Sequence, residues 1–163
     1  MSDDKITITS GFAQNFYVMS INIKKLQEDA KLPTHGSAEA AGYDLYATND
    51  IEQHIPPHHT MMIGTGLAIE LPTGTFGAIF ARSGLASKKG LRPANCVGVI
   101  DSDYRGEVKV ALHNDSDSFM SIGPHERIAQ LVIMPYVPVN FIETEELSEA
   151  ERGINGFGST GTN

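Results

Sequence analysis

The chain of 163 residues, 40% hydrophobic and 20% charged, is one domain's worth of sequence, long enough to bury about 70% of its unfolded surface without disulfide or metal staples. No apolar run approaches the roughly 20 residues that span a bilayer, which excludes a helical membrane protein. Twelve Lys and Arg against 20 Asp and Glu leave a formal charge of −8; such a surface repels a phosphate backbone and argues against a nucleic-acid binder, while a local positive site for a small phosphorylated ligand stays open.

Residues 1–18 are polar and aperiodic and lack the apolar stretch and cleavage pattern of a signal peptide. They read as a tag or dispensable leader before a start at Met19; the alternative is a genuine extension docking on its own domain or a neighbour. From Ser20 onward, dense Gly and Pro cut the chain into short pieces. Residues 21–24 alternate, 60–71 are β-branched and apolar, and 75–81 form a short apolar run. Residues 84–90 have room for one or two helical turns. Residues 107–113 alternate with period two, and 127–134 are again apolar. Short runs between turn residues predict an all-β sandwich or barrel. Residues 143–151 look helical but carry an acidic, solvated face without an apolar stripe. The organisation predicted is a leader (1–18), one β domain (19–150) and a Gly-rich C-terminal arm (151–163), in a soluble protein of the cytoplasm, with a nuclear or organellar form left open.

Three segments carry chemistry. At Arg82, Ser83 and Gly84 a strand ends in a turn that offers a guanidinium, a hydroxyl and backbone N–H groups to an anion; the plainer reading is an ordinary turn. Between Gly98 and Glu107, an apolar strand that reads as buried leads into Asp101, Asp103 and Tyr104. On a strand the two carboxylates share a face, fit to hold a metal or to divide acid and base roles; the alternative is a hairpin turn. The tail from Arg152 to Gly161 sets Phe157 among Gly, Ser159 and Thr160, a strip of donors suited to a phosphate chain with one ring for stacking, or else a plain Gly/Ser tail. It is no Walker loop, since no Lys precedes the hydroxyl pair. His54, His58 and His59 invite a zinc reading, but Pro56 and Pro57 forbid a shared helical face there. Cys96, the one cysteine, has no partner for an internal disulfide or a metal cluster and reads as a small core residue.

Over nearly the whole chain from Met19, these residues resemble one family, the homotrimeric dUTPases. The likeness is carried by five segments in the family's order: 41–45 around Asp44, 81–85 around Arg82, 95–106 from Asn95 to Gly106, 126–131 around Gln130, and 152–161. The resemblance implies a distorted β jelly roll of the β-clip type, a homotrimer with each active site built from all three chains, and Mg²⁺-assisted hydrolysis of dUTP to dUMP and pyrophosphate. That reaction keeps uracil out of DNA and supplies dUMP for thymidylate synthesis. It implies that Asp101 is the general base for water attacking the α-phosphorus. Asn95 and Gly98 would read uracil, and Tyr104 would lie under deoxyribose. Arg82, Ser83, Gly84 and Gln130 would bind phosphate, and Asp44 would hold Mg²⁺ through water. Arg152, Phe157, Gly158, Ser159 and Thr160 would form the arm that closes over the nucleotide, with Phe157 on the base. Two departures stand out. Ala81 replaces the family's usual Pro, and His125 stands where a Gly is commoner and reads as a surface substitution.

Two rival readings remain. A dCTP deaminase-like enzyme needs a base beside the pyrimidine ring, usually a Glu in the third segment; here that stretch has Asp101 and Tyr104, and the Gly-rich arm is complete. A non-catalytic nucleotide-sensing or interaction protein predicts erosion of catalytic groups, yet Asp101, Arg82 and Arg152 all stand.

Overall fold

The computed structural model describes residues 19–151 together with Gly153 and Ile154. In chain order the strands are β1 (Asn22–Lys25), β2 (Thr34–His35), β3 (Tyr43–Tyr46), β4 (Gln53–Ile55), β5 (Thr60–Gly64), β6 (Leu67–Glu70) and β7 (Thr75–Phe80). After helix α1 (Ser83–Lys89) follow β8 (Leu91–Pro93), β9 (Gly98–Ile100), β10 (Lys109–Asn114), β11 (Met120–Ile122) and β12 (Arg127–Pro135). They form a five-stranded sheet in the order β2-β3-β12-β7-β9, a three-stranded sheet β5-β10-β8, and the ribbons β1-β6 and β11-β4. This is the all-β, jelly-roll-like architecture predicted. No helix among the described residues is long and apolar enough to cross a membrane.

The alternation legible in the sequence becomes the core. In β10, Val110, Leu112 and Asn114 point inward while Lys109, Ala111 and His113 face out. Leu45, Ile79, Ile128 and Leu131 of the large sheet meet Ile63, Val110 and Leu112 of the second sheet. The apolar stretch 60–71 divides at Thr65 and Gly66 into β5 and β6, because Gly66 turns with φ 65°. Asn114, fully buried, satisfies its amide by donating to the carbonyls of Ile55, Pro56 and Ser118 at 2.7–3.1 Å.

Three expectations are corrected. Residues 143–151 form no helix: five glutamates with no apolar stripe repel one another, and nothing packs against the segment to offset nucleation. The strand before Asp101 is only half buried, since Val99 is 59% exposed. His125 is partly buried in a turn at φ 56°, with its N–H donating to the Ala47 carbonyl. His58 Nε2 is hydrogen-bonded to Asp117 at 2.9 Å, which uses its imidazole in a surface contact.

Arg92 on β8 donates twice to Asp115, at 2.6 and 2.9 Å, tying β8 to the end of β10. That hydrogen-bonded guanidinium holds the Asp115 carboxyl below its ordinary value. A carboxyl depressed in the folded state contributes stability above its unfolded pKa of about 3.9, and loses it as pH falls through the lower folded value. Asp115→Asn is therefore expected to lower the melting temperature at pH 7, with the gap to wild type closing below about pH 3.5. Equal melting temperatures of variant and wild type at pH 7 would show that the ion pair contributes nothing.

Candidate active site

The large sheet brings the first, second and fourth segments together through register. Gln130 on β12 is opposite Asp44 on β3 and, on its other side, opposite Phe80 on β7. Cross-strand partners share a face, and Arg82 follows two residues after Phe80 in extended backbone. Asp44, Gln130 and Arg82 therefore stand on one face. Gly42, two residues before Asp44, is pressed against the same glutamine: a Cβ there would lie 3.3 Å from the Gln130 Cβ.

Asp44 is only 4% exposed, and both of its oxygens are engaged. Arg82 Nε donates to Oδ1 at 2.9 Å and Arg127 Nη1 to Oδ2 at 3.1 Å. Arg82 also donates from Nη1 to the Arg127 backbone carbonyl at 3.2 Å, which ties its guanidinium to β12. Arg127 went unassigned in the sequence; on a regular strand it and Gln130, three apart, would face opposite ways. A β-bulge between Arg127 and Ala129 adds one residue on β12 and returns both to the face of Asp44. Beyond Arg82, Ser83 and Gly84 open α1, where a Cβ at Gly84 would meet nothing within 4 Å. The space an anion needs is open there.

The third segment builds a second constellation. β9 pairs with β7 so closely that a Cβ on Gly98 would sit 3.2 Å from the Ile79 Cβ. At the hairpin tip, Val97 N–H donates to the Asn95 carbonyl at 2.6 Å across Cys96, whose φ is 63°. Cys96 is exposed, against the core position expected, because this tight turn throws its side chain outward. Asp101 and Asp103 lie in a turn rather than on a strand: Tyr104 N–H donates to the Asp101 carbonyl at 3.1 Å. Tyr104 Oη donates to the Glu107 carbonyl at 3.0 Å, fixing its ring over Gly106, where a Cβ would fall 2.6 Å from the ring's Cζ. Asp101 and Tyr104 line a cavity of about 220 Å³ with Val99, Ile100, Met62, Glu107 and Lys109.

Within one chain the two constellations do not converge. Ile100 is opposite Gly77, so Asp101 is level with Phe76, six residues before Arg82; at about 3.3 Å per residue that is about 20 Å along β7. Arg82 moreover turns away, toward β3. Arg152, Phe157, Gly158, Ser159 and Thr160 lie outside the described residues.

The dUTPase family model matches residues 28–161, spanning all five segments. The chain belongs to the dUTPase family. It is 50% identical over 143 residues to the deoxyuridine 5'-triphosphate nucleotidohydrolase of Nautilia profundicola, covering 88% of this chain and 99% of that protein. To the probable deoxyuridine 5'-triphosphate nucleotidohydrolase of Schizosaccharomyces pombe it is 48% identical, again over 88% of this chain and 99% of that one. The structure of the Staphylococcus bacteriophage 80alpha dUTPase with dUPNHPP superposes with a TM-score of 0.82 at 29% identity, over 89% of this chain and all of that one.

For this dUTPase-family chain, a buried carboxylate that loses one of two guanidinium partners forfeits a charge-assisted hydrogen bond. Arg127 is half exposed, so solvent softens the loss. Arg127→Gln is expected to lower the unfolding free energy by about 1.5 kcal/mol, read from urea denaturation at constant m. An unchanged midpoint would mean that Arg82 alone satisfies Asp44.

Proposed function

We propose that this member of the dUTPase family cleaves dUTP to dUMP and pyrophosphate, with Asp101 activating the water that attacks the α-phosphorus. The observation that carries the reading is the family match from residue 28 to 161, which takes in the cavity where Asp101 and Tyr104 stand together. A carboxylate placed beside the reacting water is a group that can accept its proton. Tyr104, locked by its bond to Glu107, is the rigid platform beneath deoxyribose, and Asn95 and Gly98 read uracil at the β9 hairpin. Arg82, Ser83, Gly84 and Gln130 take the phosphates, and the arm residues Arg152, Phe157, Gly158, Ser159 and Thr160 close over the nucleotide. A deaminase-like or purely sensing role has no supporting observation.

The donor set fits Mg²⁺ held mainly by phosphate oxygens and water. Each Asp44 oxygen already accepts one guanidinium N–H but keeps a second lone pair for an ordered water. Two adjacent arginines disfavour a bare cation without a polyphosphate beside it. When bound, the ion neutralises charge on the phosphates; the chain's own part is to orient that water through Asp44.

The gap of about 20 Å along β7 between Asp101 and Arg82 supports active sites shared between chains of a homotrimer, each site taking its Asp101 cavity from one chain and its Asp44–Arg82 face from another. A second support is the apolar run after β12. Val137, Val139, Phe141 and Ile142 are 67–92% exposed, a burden a free monomer rarely carries.

Asp101→Asn is expected to cut pyrophosphate release from dUTP by about 10²–10⁴ while keeping binding of a non-hydrolysable analogue within about fivefold. Wild-type turnover in that variant would move the base elsewhere, to Asp103 first. Mixing Asp101→Asn protein with protein lacking residues 152–163 should regenerate activity once subunits exchange. Silence after exchange is confirmed by mass spectrometry would sink the shared-site reading.

A further inference from the structure

Lys109 opens β10 and, among the described residues, is the one cation lining the Asp101–Tyr104 cavity. Its position is set by a chain of contacts running back into the fold. Its ammonium stands 3.2 Å from Glu107 Oε2. The other oxygen of that carboxylate accepts the Gly66 N–H at 3.0 Å, and it presses so closely on Gly64 that a Cβ there would fall 2.5 Å away. Glu107 is thus seated in backbone at Gly64 and Gly66, while its own carbonyl takes the Tyr104 hydroxyl. Glu107 thus holds the platform tyrosine through its backbone carbonyl and the lysine through its carboxylate. The Lys109 side chain remains about half exposed and borders both this cavity and the neighbouring one lined by Gly64, Gln27 and Glu107.

We propose that Lys109 is a further substrate-binding residue, its ammonium held by Glu107 at the cavity rim as a positive charge toward the phosphates of an incoming nucleotide. A cavity of this volume is about 7–8 Å across, within one Debye length at physiological salt, so the charge is felt throughout it. In a chain of net −8, a cation beside the reacting end offsets the repulsion of a polyanion. The proposal rests on reading the Asp101 cavity as the nucleoside pocket.

The experiment compares wild type, Lys109→Met, Lys109→Arg and Asp101→Asn in dUTP turnover, and in binding of a non-hydrolysable dUTP analogue and of 2′-deoxyuridine, at about 20 mM and about 500 mM salt. Lys109→Met should raise KM and weaken analogue binding by about three- to tenfold at low salt and less than twofold at high salt, with kcat within about twofold. Deoxyuridine binding should not change, and Lys109→Arg should restore the triphosphate's. Unchanged KM and binding in Lys109→Met would overturn the proposal. So would an equal, salt-insensitive loss for deoxyuridine and triphosphate, which would make Lys109 a packing or nucleoside contact. Wild-type turnover in Asp101→Asn would remove the pocket reading on which the proposal stands; an inactive Asp101→Asn beside a wild-type-like Lys109→Met would defeat the lysine alone.

Discussion

A carboxylate taken out of water must be paid for by partners, and Asp44 finds two in Arg82 and Arg127. Neither is near it in sequence. Arg82 reaches it because β7 and β3 flank β12, and Arg127 because the bulge in β12 adds a residue at the right place. The fourth segment is therefore the hub of this half of the site. Its strand pairs on both edges, its glutamine sets the level, and its irregularity brings an arginine to the face of Asp44 that regular pleating would have sent to the opposite one.

The same sheet sets the two constellations apart. β9 lies on the far edge of β7 from β12, antiparallel, so the chain leaves β9 at Asp101 toward the start of β7 and leaves β7 at Arg82 from its other end. Each constellation is internally rigid. Asp44 is braced between guanidinium groups, and Tyr104 is bound to the Glu107 carbonyl. Groups held this way need little rearrangement to act on a ligand, the condition that favours catalysis by positioning.

The electrostatics follow the same division. The acidic surplus is spread over the surface, including the glutamates after β12 that form no helix. The cations that matter are gathered by backbone geometry: Arg82 and Arg127 around Asp44, and Lys109 beside Asp101 through Glu107. Net charge alone points away from polyanions; these local clusters make a polyphosphate ligand reasonable.

The sequence by itself determined the all-β class, the alternating strand β10, the apolar strand β12, the short helix after Arg82 and the family to which the five segments belong. Those features are local: period-two patterning, turn residues and contiguous motifs are written in neighbouring positions. It read Cys96 as core and residues 143–151 as helical, because composition does not record a positive φ or the lack of a packing partner. The tertiary structure alone decided that Arg127 shares the face of Asp44, that the Glu107 carboxylate sits on the backbone of Gly64 and Gly66, and that Asp101 and Arg82 stand at opposite ends of β7. Those are consequences of strand order, register and a bulge, which depend on residues distant in the chain and change face with a slip of one position.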